Sequence, residues 1–196
     1  MDLALKLGAD YLGFIVYPQS PRGIALERAV ELAARVPVGK RVLVDVDSSV
    51  ADLRRYEAAG FDYFQLHGRH AWTPDVLAGW QTVCGPERLW LAPRLAPDEP
   101  FPKMVLEYAD TVLVDTYTKG QVGGTGQTGD WGRYAELTVD YPQKHFILAG
   151  GLRPENVLAA IQASGTAHVD VNSGVEFEPG KKDPEKLREL FRVLRA

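Results

Sequence analysis

The stretch that decides the fold is Arg41–His67, RVLVDVDSSVADLRRYEAAGFDYFQLH. Two apolar runs, Arg41–Val46 and Tyr63–His67, stand at its ends, and their starts are 22 residues apart. That separation is too long for a hairpin and leaves room for one helix. Ser49, a residue type that caps helices, stands directly before the intervening segment. The stretch therefore predicts a β-α-β unit with two parallel strands.

The same alternation runs along the whole chain of 196 residues. Repeated β-α units imply an α/β fold with a mostly parallel sheet, either closed as a barrel or open and doubly wound. No linker or low-complexity segment interrupts the pattern, so we expect one domain over residues 1–196. The apolar runs predict seven strands, at Tyr11–Tyr17, Arg41–Val46, Tyr63–His67, Leu89–Pro93, Thr111–Asp115, Phe146–Gly150 and His168–Asn172.

A helix precedes the first predicted strand. Met1–Leu7 has a helical pattern that ends at Gly8. In an eight-stranded β-α barrel every helix follows a strand, so a barrel built from this chain would have about seven strands and lack its first one. An open doubly wound sheet can begin with a helix, and on these grounds both architectures stay open.

Composition limits the classes of function. The chain has 22 Lys and Arg, 26 Asp and Glu, a formal charge of −4 and 45% hydrophobic residues, which is typical of a globular protein. Its basic residues are scattered, so no nucleic-acid partner is expected. No apolar run is long enough for a membrane span and no secretory signal is visible, which predicts a cytoplasmic location. One cysteine, Cys84, and four dispersed histidines provide no metal-ligand spacing.

Candidate functional residues follow the predicted strands, because the active sites of parallel β-α folds gather at the carboxyl ends of strands. The last two strands end in Gly150-Gly151 and in Asn172-Ser173-Gly174. Barrel enzymes commonly bind a phosphate there through backbone N–H groups, which favours a phosphorylated substrate. The alternative is that Gly150-Gly151 only forms a turn before a helix.

Three charged or titratable residues also stand at strand ends. Asp115 suits general acid or base catalysis, or else anchors a loop. Arg22 can grip a carboxylate with two parallel hydrogen bonds, or else is a solvated loop residue. His67 can donate a hydrogen bond or transfer a proton, or else packs against backbone. Cys84 follows a helix and precedes a strand, on the face opposite the catalytic one, so we expect a structural role.

A series of short motifs occurs along the chain in a recognisable order. The motifs are Gly8-Ala9-Asp10-Tyr11-Leu12-Gly13-Phe14, Ser20-Pro21-Arg22, Gln65-Leu66-His67-Gly68, Val114-Asp115-Thr116, Gly123-Gly124-Thr125-Gly126, Asp130-Trp131, Leu148-Ala149-Gly150-Gly151-Leu152, Pro154-Glu155-Asn156, Asp170-Val171-Asn172-Ser173-Gly174-Val175-Glu176 and Pro179-Gly180-Lys181-Lys182-Asp183. In this order they resemble the phosphoribosylanthranilate isomerase family over essentially the whole chain.

The resemblance implies a (βα)8 TIM-type barrel, here truncated to about seven strands with the first strand missing. It implies conversion of N-(5-phosphoribosyl)anthranilate to 1-(2-carboxyphenylamino)-1-deoxyribulose 5-phosphate in tryptophan biosynthesis, an Amadori rearrangement without cofactor or metal. By the same resemblance Asp115 is the general acid, and Arg22 and His67 bind the substrate. The residues expected to bind phosphate are Gly150, Gly151, Ser173 and Gly174.

One departure from the family is large. The family pattern opens with a strand carrying Lys-x-Cys-Gly, whose cysteine is the general base, and no residue of this chain matches it. Loss of a general base costs about 10² to 10⁴ in rate, so we expect impaired activity. Open barrel edges predict a homodimer or swapped self-association.

Two alternative functions remain. One is a noncatalytic barrel remnant that binds a sugar phosphate or a protein partner. The other is a different phosphate-handling barrel enzyme, such as an indole-glycerol-phosphate synthase relative or a pentose-phosphate epimerase. The absence of metal-ligating histidines and of a strand-end catalytic lysine disfavours the second.

Overall fold

The computed structural model describes residues 1–68, 72–93, 99–115 and 130–195. The glycine-rich motif Gly123–Gly126 lies outside these residues. The helices are α1 (Asp2–Lys6), α2 (Leu26–Ala33), α3 (Val50–Ala58), α4 (Pro74–Cys84), α5 (Trp131–Asp140), α6 (Val157–Ser164) and α7 (Pro184–Val193). The strands are β1 (Leu12–Ile15), β2 (Arg41–Val46), β3 (Tyr63–His67), β4 (Leu89–Ala92), β5 (Thr111–Asp115), β6 (His145–Ala149), β7 (Glu176–Glu178) and β8 (Lys181–Lys182).

In the described part of the chain the main sheet has six strands, in the order of the chain, β1 to β6. The pairs from β1 to β5 are parallel, with His67 opposite both Val46 and Ala92. The predicted strands at Arg41–Val46, Tyr63–His67 and Thr111–Asp115 are confirmed with their bounds. Because side chains alternate between the faces of a strand, Gln65 and His67 share one face with Val44 and Val46.

The predicted strand His168–Asn172 is much shorter than expected. It forms a single bridge, between Val169 and Leu148 of β6. Leu148 donates to the carbonyl of His168 at 3.0 Å and accepts from the N–H of Asp170 at 2.9 Å. The bridge is parallel, so this segment still lies beside β6 with the predicted direction.

A short antiparallel hairpin, β7–β8, follows and was not predicted. Its turn passes through Gly180, whose φ of 82° is a conformation that glycine adopts easily. The carboxylate of Glu176, only 7% exposed, accepts from Lys182 Nζ at 3.1 Å and from the N–H of Gly180 at 3.2 Å. The ammonium group of Lys182 also donates to the carbonyl of Asn172 at 2.7 Å, which ties the hairpin to the segment before it.

Side-chain caps begin three of the helices, and the helix start predicted at Ser49 is confirmed. Ser49 caps α3, accepting from the N–H of Asp52, whose side chain in turn accepts from the N–H of Ser49. Thr73 caps α4 ahead of Pro74. Asp183 caps α7, accepting from two backbone N–H groups of the first turn. These short-range patterns set where three of the helices begin.

The chain forms two compact units. The first comprises residues 1–94 and 101–112, and the second comprises residues 95–100 and 113–196. In the first unit the core is built from strand residues such as Leu43, Phe64 and Leu91, all fully buried. In the second unit Leu148 of β6 and Tyr134 of α5 are the corresponding buried residues. Within the described part of the chain, no helix has the length and apolarity needed to cross a membrane.

Candidate active site

Arg22 lies in a tight loop after β1, in the first unit. The N–H of Ser20 donates to the carbonyl of Tyr17 at 3.1 Å, and the N–H of Gly23 donates to that of Ser20 at 2.9 Å. The Ser20 hydroxyl accepts from the N–H of Arg22 at 3.1 Å. A Cβ at Gly23 would lie 2.2 Å from the Tyr17 carbonyl oxygen, so the loop requires glycine there. The half-buried Arg22 is therefore presented from a loop with little freedom to rearrange.

His67 is the last residue of β3, in the same unit. Its backbone carbonyl accepts from the N–H of Asp47 at 2.9 Å, and the next N–H, of Gly68, donates to Ala92 at 3.2 Å. Its ring Nε2 lies 2.9 Å from Nε2 of Gln65. Gln65 was not among the predicted site residues. Strand alternation is the signal that would have found it, since residues i and i+2 point the same way.

Asp47 is a second residue that sequence reasoning missed. It directly follows β2, and among the described residues it is the one non-glycine with a left-handed φ, 51°. Such a conformation costs of order 1–3 kcal/mol and persists where the surroundings hold it. In the sheet β2 lies between β1 and β3, so Asp47 ends the strand between those that lead to Arg22 and His67.

The loop that carries Asp47 is held by a buried network. Ser48 donates its hydroxyl to the Asp45 carboxylate at 2.6 Å, and Tyr56 of α3 donates to the same oxygen at 2.8 Å. The carbonyl of Ser48 accepts from the indole N–H of Trp80 in α4 at 3.1 Å. Burial, followed by the hydrogen bond to Asp45, raises the pKa of Tyr56 above its usual range. The strand, the turn and α3 thus meet at the buried Asp45 carboxylate, and α4 is bonded to the same turn through the Ser48 carbonyl.

Asp115 ends β5 in the second unit. The strand residues before it are buried, and Asp115 itself is exposed. The sequence Thr111–Val114 therefore anchors the strand in the core and leaves a carboxylate at its carboxyl end. This is the position that the strand-end argument predicted for a general acid.

The two glycine-bearing segments come together in the second unit. Gly150 and Gly151 follow β6 with φ values of 99° and 62°, which side chains with a Cβ rarely adopt. A Cβ on Gly174 would lie 1.9 Å from the carbonyl oxygen of Leu152, so the two segments touch backbone to backbone. Only glycine allows that approach.

The backbone donors of these segments are available. The N–H groups of Gly150, Gly151, Ser173 and Gly174 donate to no group among the described residues. The Asn156 side chain braces the first segment, donating to the Gly151 carbonyl at 3.1 Å and accepting from the N–H of Arg153 at 2.8 Å. A set of unused N–H groups on a braced, glycine-rich backbone is the kind of site that binds an anion.

The remaining titratable candidate is Cys84, at the end of α4. It is 4% exposed, and its thiol donates to the carbonyl of Trp80 at 3.4 Å. Burial raises the pKa of the thiol to about 12, so it is neither a base nor a nucleophile near neutral pH. The structural role predicted for Cys84 fits this environment. No group of three or more potential metal ligands occurs in the part of the chain that the structure describes.

Comparison with known proteins identifies the family. Residues 1–193 match the profile of N-(5'phosphoribosyl)anthranilate (PRA) isomerase. The N-(5'-phosphoribosyl)anthranilate isomerase of Rhodopseudomonas palustris is 36% identical over 202 residues, covering 100% of this chain and 90% of that protein. The crystal structure of TrpF from Jonesia denitrificans is 31% identical, with a TM-score of 0.77, covering 99% of this chain and 90% of that one.

A further solved relative carries a ligand. It is a phosphoribosylanthranilate isomerase in complex with reduced 1-(o-carboxyphenylamino)-1-deoxyribulose 5-phosphate, 27% identical with a TM-score of 0.74, covering 98% of this chain and 91% of that one. The α/β fold of the TIM-barrel class is thereby confirmed, and the open doubly wound alternative is set aside. With the family profile matched from residue 1 to residue 193, the chain belongs to the phosphoribosylanthranilate isomerases, the isomerase family of tryptophan biosynthesis.

Proposed function

We propose that the chain isomerises N-(5-phosphoribosyl)anthranilate to 1-(2-carboxyphenylamino)-1-deoxyribulose 5-phosphate with the residues that end its parallel strands. The observation that carries the assignment of the site is the paired glycine backbone at Gly150-Gly151 and Ser173-Gly174, whose four N–H groups donate to none of the described residues. A sugar phosphate is the ligand that such a backbone fits. The reduced product bound by a solved family member carries a phosphate group of this kind.

Asp115 is the proposed general acid. Its proton goes to the furanose ring oxygen, the bond from that oxygen to C1′ breaks, and the nitrogen lone pair forms a C1′=N Schiff base. A base then removes the C2′ proton, and the electron pair of that C–H bond forms C1′=C2′ while the nitrogen regains its lone pair. The resulting enol rearranges to the C2′ ketone. The position of Asp115 at the exposed end of a buried strand supports this role.

Arg22 and His67 are the proposed contacts to the rest of the substrate. Arg22, on its tightly bonded loop, suits the planar carboxylate of the anthranilate ring, because a guanidinium can offer two parallel N–H donors. His67, at the end of β3, offers a ring nitrogen as a hydrogen-bond donor. Binding of the phosphate and the carboxylate, both remote from the reacting bonds, contributes to rate by orienting the sugar.

The general base is not assigned to any of the residues described. The predicted rate loss of about 10² to 10⁴ for a chain without the family's Lys-x-Cys-Gly cysteine stays a prediction. It is tested by comparing this chain with the same chain preceded by a strand of that pattern. A faster extended chain supports the prediction, and equal rates contradict it.

The fluorescence decay of N-(5-phosphoribosyl)anthranilate measures turnover directly. We expect Asp115→Asn to lower kcat by about 10² to 10⁴ in whichever form of the chain is active. Asp110→Asn is the matched control, because Asp110 stands just before the amino end of the same strand. Full activity of Asp115→Asn would refute the assignment of the acid. Binding of the reduced product without turnover by either form would favour the noncatalytic sugar-phosphate alternative.

We also propose self-association through the edge of β1, which lies at one end of the six-stranded sheet. Exposed strand edges invite pairing with another chain. Sedimentation equilibrium tests this: a homodimer that Gly13→Pro converts to a monomer supports it, and a monomer at all concentrations refutes it. A single domain over residues 1–196 is supported by one family profile spanning residues 1–193. A cytoplasmic location is supported by the charged, phosphorylated substrate, which does not cross membranes.

A further inference from the structure

Gln65 is a buried amide on an apolar face of the sheet. It is 7% exposed, and its neighbours across the strands are Val44 on β2 and Trp90 on β4. His67, two residues further along the same face, lies between Val46 and Ala92. The two polar side chains therefore form a short column flanked on both sides by apolar residues. A buried amide is costly unless its hydrogen bonds are made, so its contact with His67 is informative.

The chemistry of that contact is directional. The atoms in contact are Nε2 of Gln65 and Nε2 of His67, 2.9 Å apart. An amide nitrogen offers only N–H donors, so the contact needs a lone pair on the ring nitrogen. A neutral imidazole with a lone pair on Nε2 carries its proton on Nδ1. The contact thus selects one tautomer as well as one ring orientation.

The backbone around His67 is also held. Its carbonyl accepts from the N–H of Asp47, and the following N–H, of Gly68, donates to Ala92. The main chain of His67 is thus bonded to both neighbouring strands, and Gln65 adds a contact that bears on the orientation of the ring.

We propose that Gln65 is a positioning residue that holds the His67 ring as the Nδ1–H tautomer and directs this N–H as a donor to a substrate oxygen. The inference rests on the proposed function only in naming the acceptor. The tautomer and the orientation are properties of the free protein. Gln65 contacts the ring of His67, and its proposed effect on catalysis passes through that ring.

The first test is the tautomer in the unliganded chain. In protein labelled with ¹⁵N-histidine, long-range ¹H–¹⁵N spectra distinguish Nδ1–H from Nε2–H, and His67→Asn identifies the signals of His67 among the four histidines. We expect Nδ1–H in the parent chain and Nε2–H in Gln65→Glu, since a carboxylate only accepts. In Gln65→Leu the preference should be lost. A parent ring protonated on Nε2, or an unchanged tautomer in both variants, would overturn the proposal.

The second test is binding of reduced 1-(o-carboxyphenylamino)-1-deoxyribulose 5-phosphate by calorimetry. We expect Gln65→Leu to raise Kd about tenfold, the effect of losing one well-oriented hydrogen bond. Gln81→Leu is the matched control, because it deletes an amide on α4 that donates to the carbonyl of Tyr108, and its Kd should stay that of the parent chain. Equal Kd values for Gln65→Leu and the parent chain would contradict the positioning role.

The tautomer and binding measurements distinguish a failure of the proposed function from a failure of the positioning role of Gln65. If the parent chain does not bind the reduced product, the proposed function fails, while the tautomer measurement still decides the role of Gln65. If Gln65→Leu does not fold, Gln65→Glu keeps a polar side chain of the same length in place, and its tautomer reversal carries the test. If ligand binds but the tautomer is insensitive to Gln65, the positioning role alone is wrong.

Discussion

Replacing Tyr56 by phenylalanine removes one hydroxyl from the buried network around Asp45. The Tyr56 hydroxyl donates to the Asp45 carboxylate at 2.8 Å, and both residues are buried, so water cannot replace the bond readily. A hydrogen bond to a charged group contributes about 1.5–3 kcal/mol. Because Ser48 still donates to the same oxygen at 2.6 Å, we expect the free energy of unfolding to fall by about 2 kcal/mol, in the lower half of that range.

Urea denaturation followed by far-UV circular dichroism measures this loss. With a slope of about 2 kcal/mol/M, the midpoint of Tyr56→Phe should fall by about 1 M. Tyr17→Phe is the control, because it deletes the same atom from an exposed hydrogen bond, to Gln19. Its free energy of unfolding should change by less than about 0.5 kcal/mol. Equal midpoints for the two variants would refute the energetic role of the network.

The difference in the free energy of unfolding between the parent chain and Tyr56→Phe should also change with pH, in a direction that the structure predicts. Burial, and then the bond to Asp45, raises the pKa of Tyr56 in the folded state, whereas in the unfolded chain it is near 10. The stabilisation is therefore complete below pH 10 and is lost as the pH rises above it, because only the unfolded chain ionises. At pH 11 this loss is about 1.4 kcal/mol, and the variant, which has no hydroxyl at that position, has no such dependence. The stability difference between the two proteins should shrink accordingly, and a constant or growing difference would contradict the reasoning.

Two further outcomes follow from buried groups. Since burial raises the pKa of Cys84 to about 12, its thiol should resist a disulfide reagent at pH 8 until urea unfolds the chain, and prompt reaction in the folded protein would show the thiol to be accessible. Gly174→Ala should weaken binding of inorganic phosphate and lower thermal stability, because its Cβ would lie 1.9 Å from the Leu152 carbonyl oxygen. Gly132→Ala, in α5, is the control, because a Cβ there would have its nearest contact, with Asp130 Oδ1, at 3.8 Å. This variant should bind phosphate as the parent chain does, with equal or higher thermal stability. If the two variants behave alike, the close approach of Gly174 to Leu152 is contradicted.

Most of the secondary structure could be predicted from local patterns. Arg41–Val46 and Tyr63–His67 are strands as expected, and Ser49 caps a helix as expected. The hairpin β7–β8 was missed because its stability depends on a contact between Glu176 and Lys182 that no periodicity shows. The strand at His168–Asn172 was overestimated for the opposite reason: its residues favour extended backbone, yet among the described residues the segment forms a single bridge, between Val169 and Leu148.

The candidate site, too, could be predicted only in part from the sequence. Strand ends are visible in a sequence, so Arg22, His67, Asp115 and the glycine pairs were named from position alone. The close approach of Gly174 to Leu152, the left-handed turn at Asp47 and the contact of Gln65 with the His67 ring were not. Each of these needs atoms brought together across a turn or between strands.

By itself the sequence determined the alternation of strands and helices, the helix starts and the family, because these depend on residue type at fixed short spacings. Tertiary structure alone decided that the N–H groups of Gly150-Gly151 and Ser173-Gly174 donate to none of the described residues, and that the Gln65 amide lies against Nε2 of the His67 ring. Hydrogen bonds require an approach within about 3 Å with the right direction. Such distances are set by the packing of segments far apart in the chain, and a one-dimensional pattern does not contain them.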